Sequence, residues 1–200
     1  MTDLSLYLFA QKERIKTLYA YRNRSWRKLP ILENGEKLVI IPFEMCHPFY
    51  YLDMKISNSK DIFIREDVFS RFLVAKKIAS SYGFDLIVFD GWRSIELQES
   101  LFWYYLKKFI VEKFNMKDVF SCADDVSDIK RIFLSLPENN QVLMMEANRS
   151  YVSWPSSDPF CPSPHATGGS IDVWLYRDNV PVNLGVPFIG WKKMLEHFII

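Results

Sequence analysis

The segment Ser163-Pro164-His165-Ala166-Thr167-Gly168-Gly169-Ser170-Ile171-Asp172 constrains the fold most, because it sets an imidazole and a carboxylate seven residues apart around two glycines. Side chains seven apart on one straight strand point to opposite faces, since the alternation has a period of two. His165 and Asp172 therefore meet only if the chain turns between them. Gly168-Gly169 supplies that turn, because glycine enters positive φ without steric cost. Residues 171–175 then read as a strand that is apolar but for one carboxylate, and a buried, unpaired Asp needs a cation or hydrogen-bond donors. Such a pair is half of a zinc site, which in its catalytic form takes three protein ligands and keeps a fourth position for water or substrate. The same residues also read as a solvated loop histidine and a locally capping aspartate.

A second signal lies at Phe84-Asp85-Leu86-Ile87-Val88-Phe89-Asp90-Gly91-Trp92-Arg93-Ser94. Residues 84–89 form an apolar, β-branched run that predicts a strand; Asp90-Gly91 ends it, and Ser94 caps the helix that follows. Arg93 thus sits at a strand-to-helix junction, where its fork of donors suits a carboxylate or a developing oxyanion. Pairing with Asp90 or a surface Glu is the alternative.

Together the two motifs resemble the D-alanyl-D-alanine dipeptidases, the VanX-type zinc peptidases. Asp90-Gly91-Trp92-Arg93-Ser94, with Gln98 and Leu101 following, looks like their Asp-Gly-aromatic-Arg segment. Ser163-x-His165-x-x-Gly168-x-x-x-Asp172 matches their Ser-x-His-x-x-Gly-x-x-x-Asp motif at every named position. The resemblance runs from about residue 30 to about residue 188. It implies an α+β fold with an antiparallel sheet and flanking helices, of the hedgehog/DD-peptidase type. It also implies a Zn2+ cofactor bound by His165 and Asp172, and the small dipeptide D-Ala-D-Ala, a precursor of the bacterial cell wall, as substrate. Arg93 would stabilise the tetrahedral intermediate formed when a zinc-activated water attacks the peptide carbonyl. Ser163 would line the substrate pocket, a role that loop capping explains equally well.

The sequence departs from that family after Asp172. Family members complete the site with a downstream Glu-x-x-His, in which Glu is the base and His the third ligand. No such element follows Asp172 here; the one acid–imidazole pair is the adjacent Glu196-His197, whose side chains diverge on a strand or a helix. Residues 184–188, Leu-Gly-Val-Pro-Phe, resemble a stretch the family carries after the zinc Asp. The expectation is a chain truncated or frame-shifted near residue 188, with turnover slow or lost. Besides an incomplete dipeptidase, two further readings stand: an inactive remnant that binds zinc weakly or a partner, and an endopeptidase or carboxypeptidase of the wider zinc-peptidase group.

The rest of the chain fits one domain. Its 200 residues, 49% hydrophobic and 16% aromatic, are enough to bury a core, and no repeat or low-complexity linker divides them. A net charge of +1 gives no electrostatic case for nucleic acid or an anionic membrane. Cys46, Cys122 and Cys161 are odd in number and far apart, which predicts free thiols in a reducing compartment. The apolar run 4–10 is too short and too closely flanked by charge for a signal peptide or a membrane span, so the expected location is the cytoplasm.

Periodicity predicts helices over 5–20, over 65–82 ending before Gly83, from Ser94 to about Phe114, and over 125–135. The Lys76-Lys77 pair reads as a solvated face. A strand at 37–42 closes on Pro42, and the proline-rich 154–169 reads as an exposed loop. Mixed rather than alternating elements argue α+β. His47, before Pro48, is expected to make local hydrogen bonds rather than bind metal, since its neighbour Cys46 diverges from it in an extended segment.

Overall fold

The computed structural model describes residues 32–114, 117–123, 125–137, 140–141, 145, 152, 155 and 162–185. The helix expected over 5–20, Cys161, Glu196-His197 and the chain from 186 onward lie outside them.

The fold is α+β, with helices packed on two antiparallel sheets. In the first, β1 (Leu38–Ile40) pairs with β2 (Phe63–Arg65) in the register Leu38↔Arg65 and Ile40↔Phe63. In the second, β3 (Asp85–Asp90), β4 (Asp172–Arg177) and β5 (Val180–Pro181) lie in that order. Asp178 and Asn179 join β4 to β5 with both φ angles positive, the two-residue turn whose twist matches a hairpin and which Asp and Asn tolerate.

A single helical turn, α1 (Phe49–Leu52), hangs on β3 through the His47 amide, which donates to the Val88 carbonyl at 2.8 Å. Helix α2 (Glu66–Ser81) opens with two acids in its first turn, where they complement the helix dipole. It closes where the periodicity ends: Gly83 at φ +77° lets its amide reach the Ser80 carbonyl and the Phe84 amide reach that of Ala79. Ser94 caps α3 (Ile95–Phe114) by accepting from the Leu97 amide at 3.2 Å. Asp125 caps α4 (Val126–Leu134) by accepting from the Asp128 amide at 2.9 Å.

One expectation for α2 changes. Lys76 is not solvated: its ammonium pairs with Asp85 and donates to the Leu86 carbonyl, stitching α2 to β3. Of the apolar residues whose spacing gives that periodicity, Phe72 is buried, whereas Leu73 and Ile78 face outward. The helix carries apolar residues on both sides, so its periodicity marks a helix without marking its inner face.

The core falls into three clusters. Phe102, Trp103, Leu106 and Ile110 of α3 pack on Phe120, Ala123, and Ile129 and Phe133 of α4. Ile41, Ile62, Ile64, Phe72 and Val88 fill the space between the sheets and α2. Phe49 and Phe89 join Tyr50, Trp174 and Tyr176 on the other face of β3.

Candidate metal centre

Pairing β3 with β4 sets the end of one strand against the start of the other. The register is irregular between Val88 and Asp90, and Asp90 falls opposite Asp172. Like charges directly across a ladder repel, so the pair calls for a cation. Arg93 is the first. Its Nε donates to Asp90 Oδ2 at 2.6 Å, its Nη2 lies 2.5 Å from the same oxygen and 3.4 Å from Asp172 Oδ2, and its Nη1 donates to Gln98 Oε1 at 3.0 Å. Of the two sequence readings for Arg93, pairing with Asp90 is what the structure holds. Burial works against the guanidinium charge, but Asp90, Tyr50 and Asp172 outweigh it and keep the group above its ordinary range. Burial also pushes the Asp90 carboxyl up, against the pull of Arg93 and His165.

His165 reaches the same place from a tight turn. Residues His165–Thr167 form one 3-10 turn, closed by Gly168 at φ +71°. A Cβ on Gly168 would come within 2.6 Å of a Leu38 methyl, so both backbone angle and space require glycine there. Gly91 is fixed by space alone: its Cβ would meet the Phe63 carbonyl oxygen at 2.5 Å. Around these glycines the chains interlock, with the Arg65 amide donating to Gly168 O, Trp92 to Phe63 O and Arg93 to His165 O. The Arg65 side chain adds a clamp, donating through Nε to Thr167 O at 2.8 Å while Glu33 holds its guanidinium from outside.

The imidazole is oriented by its neighbours. Nδ1 lies 2.8 Å from the Gly91 carbonyl, which can only accept, so Nδ1 carries the proton. Asp90 Oδ2 stands 3.1 Å from that nitrogen. The lone pair is then on Nε2, facing Asp172 Oδ1 across 3.7 Å, too far for a hydrogen bond. One ring nitrogen held by a carbonyl and a carboxylate, with the other presented bare beside a second carboxylate, is how metal-binding histidines are supported.

Asp90, His165 and Asp172 bring ligand atoms within 4.8 Å of one another, and this is the group among the described residues that could hold a metal ion. Its members differ. Asp90 is buried and committed to Arg93, which suits a supporting role, whereas the Asp172 side chain is 42% exposed and has room for a further ligand. The expectation that Asp172 is a buried carboxylate inside a strand is therefore corrected: it is the first residue of β4, and the buried acid is Asp90.

The remaining candidates separate. Ser163 Oγ accepts from the Ala166 amide at 3.1 Å and caps the turn. That end of the loop is half-buried rather than exposed, since His165 packs into the site. His47 is elsewhere: its Nε2 lies 2.6 Å from Asp53 Oδ2, and its ring lies tilted against Phe89, centroids 5.3 Å apart. Cys46 is buried in the core and Cys122 is exposed, both as free thiols. The sequence offers Asp90 only as a partner for Arg93, Gln98 only as part of the Arg motif, and Tyr50 not at all. The Tyr50 ring lies 5.4 Å from the Arg93 guanidinium carbon, and burial, then the Asp90 charge, pushes its hydroxyl above the ordinary phenol range. Only the register of β3 against β4 and the path of α1 bring them together.

Among the described residues no helix is long and apolar enough to cross a membrane. No protein-family model, no curated protein and no solved structure matches the chain.

Proposed function

We propose that the chain is a zinc-binding hydrolase domain of the D-alanyl-D-alanine dipeptidase type, with His165 and Asp172 as zinc ligands and D-Ala-D-Ala as substrate. One observation carries the reading: among the described residues His165 Nε2 has no hydrogen-bond partner and lies 3.7 Å from Asp172 Oδ1, while Nδ1 is spent on Gly91 O. The donor set, an imidazole nitrogen and a carboxylate oxygen, is one that zinc takes. When bound there, zinc supplies Lewis acidity, polarising a carbonyl and lowering the pKa of water. Around it, Asp90 holds the imidazole and the guanidinium in register, and Arg93 balances the facing carboxylates. The motifs at 90–94 and 163–172 supply the resemblance that names the substrate.

A second reading has an observation of its own. Every nitrogen of the Arg93 guanidinium already has a protein acceptor, which leaves little of its fork for an oxyanion and favours a domain that binds zinc without turning over substrate. The test is release of D-alanine from D-Ala-D-Ala by the 200-residue chain loaded with zinc. Turnover that disappears in Arg93→Ala supports the hydrolase; zinc binding with no release supports the second reading.

A further inference from the structure

Away from the metal corner, a cavity of about 820 Å3 opens between α3, α4 and the chain that follows α1, and neither Asp90, His165 nor Asp172 lines it. That is the size of a small-molecule site. One face of α3 makes a wall: Ser100, Tyr104, Lys107 and Val111 recur every three or four residues and border the space, with Lys108 beside them. Met54 and Ile56 border it from the chain after α1, and Val126 and Ile129 from α4, so much of the lining is apolar. The charge on it is one-sided. Lys55, Lys107 and Lys108 line the cavity against a single carboxylate, Asp125, which is spent on the Asp128 amide. Among the described residues the lysines that pair with a carboxylate are Lys76 and Lys130, and neither borders this cavity. Lys107 is half-buried and anchored, its Nζ donating to the Ala123 carbonyl at 2.6 Å, a neutral acceptor that leaves the charge uncompensated. Lys55 stands at φ +55°, a conformation that Gly or Asn enters more cheaply, so backbone geometry does not account for a lysine there. Like charges gathered at one half-buried place repel, and an anion relieves that repulsion.

We propose that this cavity is a second ligand site, which takes a small phosphate monoester: Lys55, Lys107 and Lys108 draw the phosphoryl group, and Tyr104 and the apolar side chains of α4 receive the organic body. Ammonium groups act as point charges and suit a compact, multiply charged phosphoryl group, whereas a planar carboxylate is better matched by the fork of an arginine, and no arginine lines the cavity. The site stands independently of the zinc reading of the corner.

The test is calorimetry with phenyl phosphate on the full 200-residue chain, on Lys108→Met and on Lys55→Asn, with inorganic phosphate and benzoate as comparison ligands. The expected result is one phenyl phosphate per parent chain, bound about tenfold more weakly by each variant, the loss of one hydrogen bond to a charged group. Added salt should weaken binding to the parent. Lys55→Asn should keep the parent's thermal midpoint or raise it, since Asn tolerates the left-handed conformation, so weaker binding by that variant is not a loss of fold. A parent that binds no phenyl phosphate, or equal affinity in the parent and both variants, overturns the inference. Benzoate bound as tightly as phenyl phosphate overturns the choice of phosphate, and inorganic phosphate bound as tightly overturns the role given to Tyr104 and the apolar lining.

Discussion

The unit made by α3 and α4 and the corner where β3 meets β4 bury their side chains for opposite reasons. Between the helices, Phe102, Leu106, Ile110, Phe120 and Phe133 are fully or almost fully buried and carry no polar atom, so packing alone accounts for them. At the corner, a buried carboxylate, a guanidinium, an amide and an imidazole interlock, and a chain selected only for stability would do as well with apolar groups there. The contrast teaches where to look for chemistry. A buried polar network, held by two glycines that tolerate no side chain, marks residues kept for what they bind.

Mutations should separate the two regions. The largest loss of stability is expected from Phe133→Ala, about 3–5 kcal/mol in urea unfolding, because it opens a cavity in the helical core. Zinc affinity of the protein that remains folded should not change. Asp90→Asn should cost about 3 kcal/mol, since it leaves Arg93 buried against a neutral group, and it should also weaken zinc binding by loosening His165. If zinc binding by Asp90→Asn matched the parent, Asp90 would have no supporting role.

Gly168→Ala is smaller, about 1–2 kcal/mol for a residue forced into the left-handed region, with the Leu38 contact in addition. It should move the His165 turn and weaken zinc binding beyond its modest effect on stability. Asp125→Ala removes a helix cap remote from the corner, costs about 1 kcal/mol, and should leave zinc affinity as it was.

The smallest effect concerns pH. The hydrogen bond from Lys130 holds the Glu99 carboxyl below its ordinary range, with a second contact from Trp103. A depressed folded-state value contributes stability above the unfolded pKa, and that stability is lost as pH falls from the ordinary carboxylate range through the lower folded value. Lys130→Met should flatten that acid limb slightly in urea midpoints measured across the range.

The sequence makes local structure legible where one physical rule decides it. The β-branched run before Asp90-Gly91, the Ser94 cap, the glycine after α2 and the turn at Gly168 all appear within a residue or two of their expected places. Rules of spacing do not reach the rest. Asp172 reads as the buried acid because its strand is apolar, yet it begins that strand and stays open, while Asp90 is covered by its partners. Lys76 reads as solvated because it stands in a basic pair, but Asp85, nine residues on, lies where the helix returns to the sheet. Tyr50 carries no local signal; its place beside Arg93 depends on α1 hanging from β3.

The most direct test of the central claim is a zinc titration by calorimetry of the parent, His165→Ala and Asp172→Asn. The account predicts one zinc per parent chain, none measurable for His165→Ala, and binding at least tenfold weaker for Asp172→Asn, with all three proteins folded. Zinc binding by His165→Ala with the parent's affinity would contradict it.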